Sequence, residues 1–140
     1  MTRRSRAREV ALQLLFQYDL NTKPLSRKAL ETFANDRLQD EPEAVAFCLL
    51  LTDGVIANRA EIDAKLAATA DNWKLHRMLP VDRNVLRIGV YEMLHAAEKT
   101  PPAAAINEAL ELSRRYGTVD SPAFINGILD KINKSQPAAQ

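Results

Sequence analysis

Residues 102–132, PAAAINEALELSRRYGTVDSPAFINGILDKI, contain two amphipathic helical patterns joined by a short turn. Positions that face a core recur every three or four residues, as one side of an α-helix requires. They are Ile106, Ala109, Leu110 and Ser113 in the first pattern, then Phe124, Ile125, Ile128, Leu129 and Ile132 in the second. Gly117 suits the left-handed position that often follows a helix, and Ser121-Pro122 is typical of a helix start. The stretch therefore predicts two packed helices.

The same helical period continues through the rest of the chain, and strand-like alternation is absent. The first segment has an apolar stripe made of Ala7, Val10, Ala11, Leu14 and Tyr18. Asp40, followed by Pro42, is predicted to cap a long helix, and residues 73–79 are predicted to form a short helical turn. We expect about seven helices in an all-α bundle, with one domain over residues 1–133. Residues 134–140 have no apolar face and are predicted to be a disordered tail.

Composition excludes several classes of protein. About 46% of the 140 residues are hydrophobic and 26% are charged, which is an ordinary globular balance. No apolar run is long enough to span a membrane, and no signal-peptide core follows the first residues, so we expect a cytoplasmic protein. The single cysteine, Cys48, excludes an intrachain disulfide and a cysteine-cluster zinc site.

No pattern indicates catalysis, a metal or a cofactor. His76 and His95 lack a third ligand at metal-binding spacing and are interpreted as surface or half-buried side chains. Cys48 lies in an apolar helical run and is interpreted as a packed thiol. Glu108 and Glu111 lie one turn apart on a helix, where carboxylates are usually solvated or paired with arginine. We therefore expect a non-enzymatic protein without a cofactor.

The most informative feature is a basic N-terminal arm, formed by Arg3, Arg4, Arg6 and Arg8. The formal net charge is only +1, so a mildly acidic body follows this arm. The positive end of a helix dipole disfavours cations, so the arginines weaken the helix that carries them. Contacts with nucleic-acid phosphates would explain this placement, whereas a frayed, solvated terminus is the alternative. The residues alone leave both interpretations open.

Phe16 lies off the apolar stripe of the first segment, with Leu12, Glu9 and Asp19 on the same side. An exposed aromatic ring on a basic helix can stack on an unpaired base. The alternative is that Phe16 packs beneath a second layer of helices, because large apolar side chains are usually buried. Position on the helical wheel does not decide between them.

Several blocks of sequence, in this order and spacing, resemble the NusB family of bacterial transcription antitermination factors. They are RARE (6–9), ALQ (11–13), Trp73, Arg77, VDRNVLR (81–87), YE (91–92), AINEA (105–109), EL (111–112), YG (116–117), DS (120–121) and FINGILDK (124–131). The resemblance covers nearly the whole chain. It implies two small three-helix bundles packed together.

The resemblance also implies an RNA-binding function. Family members bind the boxA element of nascent RNA together with NusE, a ribosomal small-subunit protein, in an antitermination complex on RNA polymerase during ribosomal RNA synthesis. The RNA contacts implied here are the arginine arm, the aromatic residue of the first helix and the loop before the last helix. These correspond to Arg3, Arg4, Arg6, Arg8, Phe16, Tyr116, Asp120 and Phe124. The family usually has tyrosine where Phe16 stands, so the stacking face is kept and the hydroxyl is lost.

Asp82 and Arg83 are the predicted contacts with NusE. Some family members self-associate, and a homodimer would cover the RNA surface. Two alternatives are therefore a protein-interaction module and a homodimeric NusB-like domain without strong RNA binding. A NusB-like domain also precedes the catalytic domain of some ribosomal RNA cytosine methyltransferases, and we expect no such enzyme here because the sequence ends at Gln140.

Overall fold

A computed structural model of the protein describes residues 2–21, 23–70 and 74–137. These residues form seven α-helices and contain no strand. The helices are α1 (Arg3–Leu20), α2 (Arg27–Arg37), α3 (Pro42–Ala57), α4 (Arg59–Thr69), α5 (Pro80–Val90), α6 (Pro102–Tyr116) and α7 (Ser121–Lys134). A 3₁₀ turn, Leu75–Arg77, precedes α5, and a π-helical segment, Tyr91–His95, continues it. The all-α prediction is confirmed, although Trp73 lies outside the described residues.

The helices form two groups that share one core. Helices α1, α2 and α3 pack together, α5, α6 and α7 form the second group, and α4 connects them. Contact between α1 and α5 is the most extensive one across the boundary. Buried apolar side chains from both groups belong to a single cluster, so neither group has a separate core. Helix α1 therefore occupies the centre of the molecule.

Local sequence explains most helix starts. Thr2 and Ser26 cap α1 and α2 by accepting hydrogen bonds from the backbone N–H of Ser5 at 3.0 Å and of Ala29 at 3.1 Å. Proline occupies the first turn of α3, α5, α6 and α7. Asp40 was predicted to cap α3, and this is wrong. Its φ of 56° places it in a left-handed turn between α2 and α3.

Gly117 ends α6 for a different reason from the predicted one. Its backbone is extended, with φ −94° and ψ −164°, and is not left-handed. A Cβ atom at this position would lie 2.5 Å from Ser121 Oγ and 2.8 Å from the backbone oxygen of Ser113. Ser121 Oγ also accepts a hydrogen bond from the Thr118 N–H at 2.9 Å. Glycine is required here because the tight turn leaves no space for a side chain.

The C-terminal end of α7 extends slightly into the predicted tail. Lys134 forms the last residue of the helix, and its Nζ lies 2.8 Å from an Asp130 carboxylate oxygen. The Gln136 side chain donates to the backbone oxygen of Ile132 at 3.1 Å. Lys134 therefore belongs to the helix. The last three residues of the predicted tail, 138–140, lie outside the described residues.

Helix α3 packs closely on the π-helical segment at Gly54. A Cβ atom at Gly54 would overlap the Tyr91 ring, so only glycine allows this approach. Gly127 in α7 is also a helical glycine, but it is exposed and a Cβ atom there would touch nothing. The two glycines therefore form a matched pair for testing the packing.

We predict opposite effects of alanine at these two positions. Gly54→Ala should lower the free energy of unfolding by about 1–3 kcal/mol, because it overpacks the interface between α3 and Tyr91. Gly127→Ala should raise it by about 0.5–1 kcal/mol, because alanine favours the helix and meets no neighbour. Urea unfolding of both variants measures the difference. A Gly54→Ala protein as stable as the wild type would contradict the close packing.

Candidate nucleic-acid interface

Three of the four arm arginines lie on the surface. Arg3, Arg4 and Arg6 are exposed along the first two turns of α1. The guanidinium of Arg4 lies 4.5 Å from the centre of the Phe47 ring, and Arg3 Nε lies 3.6 Å from a Glu41 carboxylate oxygen. Arg6 donates a hydrogen bond to the backbone oxygen of Arg37 at 3.4 Å. Such exposed contacts are weak and exchange readily, so these cations remain accessible to an anionic ligand.

Arg8 is buried, unlike the other three arginines of the arm. Only 5% of Arg8 and 2% of Glu92 are exposed. Arg8 Nε and Nη2 donate to the two Glu92 carboxylate oxygens at 2.8 and 2.6 Å. A buried charge needs such a partner, and both donors aimed at Glu92 are already used. The prediction that Arg8 contacts RNA is therefore corrected, and Arg8 is a core residue.

The π-helical segment explains why Glu92 faces inward. This segment continues the line of α5 with a wider turn, and it buries Tyr91, Glu92 and Met93 in succession. Glu92 accepts a further hydrogen bond from Thr100 Oγ1 at 2.8 Å. The carboxylate is thus satisfied from two sides, and it joins the π-helical segment to α1.

An open groove lies beside the arm. Its volume is about 470 Å³, within the range of about 300–1,000 Å³ that is usual for ligand sites. The lining residues come from α1, α2, the start of α5 and the end of α6; they are Leu12, Gln13, Phe16, Gln17, Phe33, Arg37, Val81 and Tyr116. Of these eight described residues, only Arg37 is charged. The groove is therefore mainly apolar and aromatic.

Phe16 is half-buried in the wall of this groove. The exposure that the implied RNA contact of Phe16 requires is therefore only partial. Leu12, which was expected on the same mixed surface, is buried in the core. The second-layer alternative applies to Leu12, while Phe16 keeps part of its ring open to the groove. Phe33 and Arg37 of α2 were not singled out from the sequence, because nothing local to α2 shows that it faces Phe16.

The loop before α7 places its predicted residues differently. Tyr116 is 39% exposed and lines the groove. Asp120 is exposed at the start of α7. Phe124 is half-buried and packs against the core. Tyr116 thus lies together with Phe16, whereas Phe124 does not line the groove.

Asp82 is buried, whereas Arg83 is half-buried. Asp82 is 6% exposed, and its Oδ1 atom is buried without a hydrogen-bond partner. Arg83 Nε donates to Asp19 at 2.6 Å, and Arg83 Nη1 donates to the backbone oxygen of Met78 at 3.1 Å. Asp82 is buried in the first turn of α5, and Arg83 is directed toward Asp19 at the end of α1. Burial of Asp82 argues against its predicted direct contact with a partner protein, whereas a partner contact at half-buried Arg83 stays a prediction.

Asp19 is the centre of a second ionic network. Its carboxylate accepts hydrogen bonds from Arg59 at 3.0 Å, from Arg83 at 2.6 Å and from Asn84 at 3.0 Å. Burial raises the pKa of Asp19, but the bond from Arg83 and the charge of Arg87 outweigh that effect. The pKa of this carboxyl consequently lies below its ordinary value of 3.8. The network joins the end of α1 to α4 and α5.

Cys48 and His95 are two further titratable side chains with defined surroundings. Cys48 is fully buried, as predicted for a packed thiol, and burial raises its pKa to about 12. His95 Nδ1 lies 3.7 Å from a Glu61 oxygen. In residues 2–21, 23–70 and 74–137, no three side chains of His, Cys, Asp or Glu are grouped as metal ligands. Within those ranges no helix has the length and hydropathy to cross a membrane.

Comparison with known proteins decides the family. Residues 5–134 match the family model described as the NusB family. The chain belongs to the NusB family. Transcription antitermination protein NusB of Bdellovibrio bacteriovorus is 42% identical over 135 residues, covering 96% of this chain and 98% of that relative. The resemblance noted from the sequence is confirmed.

Solved NusB structures share the fold. NusB from T. maritima has a TM-score of 0.82 and 34% sequence identity, covering 94% of this chain and 91% of that one. A NusB solved with NusE and dsRNA has a TM-score of 0.85, covers 97% of this chain and 99% of that one, and is 24% identical. At that identity the second likeness establishes the fold only. The prediction of two packed helical bundles of the NusB type is confirmed.

The Asp19 network makes stability depend on pH. Because the folded-state pKa of Asp19 is lowered, its contribution is present above its unfolded pKa of about 3.8 and is lost as pH falls through the folded-state value. Asp19→Asn should reduce the free energy of unfolding by about 3 kcal/mol at pH 7, and the difference from wild type should shrink below pH 4. Urea unfolding at several pH values measures this, with exposed Asp36→Asn as control. A constant difference down to the lowest pH where both fold would contradict it.

Proposed function

We propose that this protein is an RNA-binding transcription antitermination factor that binds boxA-type RNA together with NusE. The observation that carries the proposal is the position of the exposed arm beside the aromatic groove on one helix, α1. The arm supplies positive charge and the groove supplies stacking faces, the two components that single-stranded RNA sites combine. Membership of the NusB family supports the same function, since its relatives are named for transcription antitermination.

The arm is proposed to bind the phosphates of the RNA backbone. Arg3, Arg4 and Arg6 are exposed on the same two turns, so one RNA strand can pass all three guanidinium groups. Each phosphate that they neutralise releases condensed counterions, which makes binding weaken with salt. Arg8 contributes indirectly, because its bond with Glu92 fixes the helix that carries the other three.

The groove is proposed to bind unpaired bases of the RNA. Phe16 and Tyr116 come from α1 and α6 and line the same opening. An unpaired base that enters the opening can stack on either ring, and such a contact is worth about 1–3 kcal/mol. Asp120 is exposed in the loop that follows Tyr116, where it can accept hydrogen bonds from base amino groups.

NusE is the proposed protein partner, and RNA polymerase with its antitermination complex is the proposed setting. A NusB of the same fold has been solved with NusE and dsRNA, which supports this pairing. Because Asp82 is buried, we expect the partner to contact half-buried Arg83 and the exposed part of the same region. Leu79, immediately before α5, is 48% exposed and provides an apolar contact there. If NusE tightens RNA binding, RNA must tighten NusE binding by the same factor.

RNA titration in increasing salt tests the proposal. If three arginines contact phosphates, log affinity should fall against log salt with a slope of about −2 from the arm alone, at roughly −0.7 per contact. The triple variant Arg3→Gln, Arg4→Gln, Arg6→Gln should therefore flatten the slope by about two units. A boxA-type oligonucleotide is compared with a scrambled one, with and without NusE.

A matched control removes the same charge elsewhere. Arg27, Lys99 and Lys134 are exposed and do not line the groove, so their replacement by glutamine should leave the slope almost unchanged. Equal flattening in both triple variants would mean that only net charge matters. Binding that neither distinguishes boxA from the scrambled RNA nor responds to NusE would contradict the proposal, as would a homodimer that binds no RNA.

A further inference from the structure

Helix α2 forms the wall of the groove opposite α1. Phe33 and Arg37 lie one helical turn apart on α2, and both line the groove. The Arg37 guanidinium carbon lies 4.7 Å from the centre of the Phe33 ring. This cation–π contact holds an exposed positive charge at the edge of an aromatic surface. Neither residue belongs to the arm or to the loop before α7.

Arg37 differs from the other arginine of α2. Arg27 is tied to two carboxylates, with a nitrogen 3.0 Å from Glu31 and another 2.7 Å from Asp53. Within the described part of the chain, Arg37 has its ring contact with Phe33 and no ion pair with a carboxylate. The charge of Arg37 is thus positioned but not neutralised, which suits contact with an anion.

The arm and α2 also meet directly. Arg6 Nη2 donates to the backbone oxygen of Arg37 at 3.4 Å, which places the side chain of Arg6 at the end of α2. Arg6 and Arg37 therefore extend the positive surface of the arm to the groove. Among the described residues that line the groove, none is acidic. That charge pattern complements a polyanion, and it favours an RNA strand over an apolar protein segment as the occupant.

We infer that α2 forms the second half of a nucleotide subsite, in which one RNA base enters the groove between Phe16 and Phe33 while its phosphate contacts Arg37. The inference rests on the proposed function and adds a residue to it. Gln13 and Gln17 also line the groove, and their amides carry both donors and acceptors for the edge of a base. The subsite thus combines an aromatic wall, a polar wall and a phosphate contact.

Arg37→Gln tests the subsite, with Arg27→Gln as a control on the same helix. In salt titrations with a boxA-type oligonucleotide, Arg37→Gln should flatten the log–log slope by about 0.7, the value of one single-strand phosphate contact. Arg27→Gln should leave the slope unchanged. Arg37→Lys should retain the slope, because a point charge suffices for counterion release. Both arginines are exposed, so thermal unfolding should be nearly the same in all three variants.

Neutral phosphates in the RNA identify the contact. Methylphosphonates placed at each position in turn should weaken wild-type binding at every phosphate that is contacted. Arg37→Gln should make one of these positions insensitive and leave the others unchanged. An abasic residue beside that site should weaken wild-type binding ten- to a hundredfold, as loss of a stacked base predicts. Additive effects of the methylphosphonate and Arg37→Gln at every position would overturn the subsite.

The outcomes separate this inference from the proposed function. If the wild type binds RNA and the arm variant flattens the slope, but Arg37→Gln behaves like Arg27→Gln, the subsite is wrong and the proposed function stands. If Arg37→Gln leaves RNA binding unchanged and weakens NusE binding without RNA, the groove holds protein and the subsite is again wrong. A wild type that binds no RNA would overturn both.

Discussion

The buried ion pair between Arg8 and Glu92 is the constraint on which the arrangement depends. Both side chains are removed from water, and each is tolerated because the other satisfies it with two hydrogen bonds. The pair joins α1 to the π-helical segment, and so connects the first helical group with the second. Leaving either charge alone would be strongly unfavourable, whereas replacing both by apolar side chains of similar volume costs much less.

Helix α1 carries three kinds of residue along its length. The exposed arginines lie on its first turns, and Arg8 fixes the position of the helix through Glu92. Phe16 lines the groove about two helical turns beyond Arg8. At its end, Asp19 is held by arginines of α4 and α5. Because α1 is fixed at two points, the distance between arm and groove is set by the fold. The proposed RNA surface therefore depends on the Arg8–Glu92 pair and the Asp19 network, neither of which is part of that surface.

Sequence reasoning succeeded where the signal is local. The stripe of Ala7, Val10 and Leu14 is buried as predicted, because helical periodicity directly reflects which side faces the core. Arg8 was misassigned because it is chemically identical to Arg4 and Arg6. Its partner Glu92 stands 84 residues away, and no local pattern reveals it.

Only part of the groove lining could be predicted, because its residues come from helices that are distant in the sequence. Phe16 and Tyr116 were identified, whereas Phe33 and Arg37 become relevant only once α2 is packed against α1. Asp82 had the polarity of a surface residue, but it is buried in the first turn of α5. A double-mutant cycle with Arg8→Met and Glu92→Met, followed by urea unfolding, tests the central claim most directly. Each single variant should lose about 3–5 kcal/mol, and the double variant should lose at least about 2 kcal/mol less than their sum. Effects that add within about 0.5 kcal/mol would contradict the account.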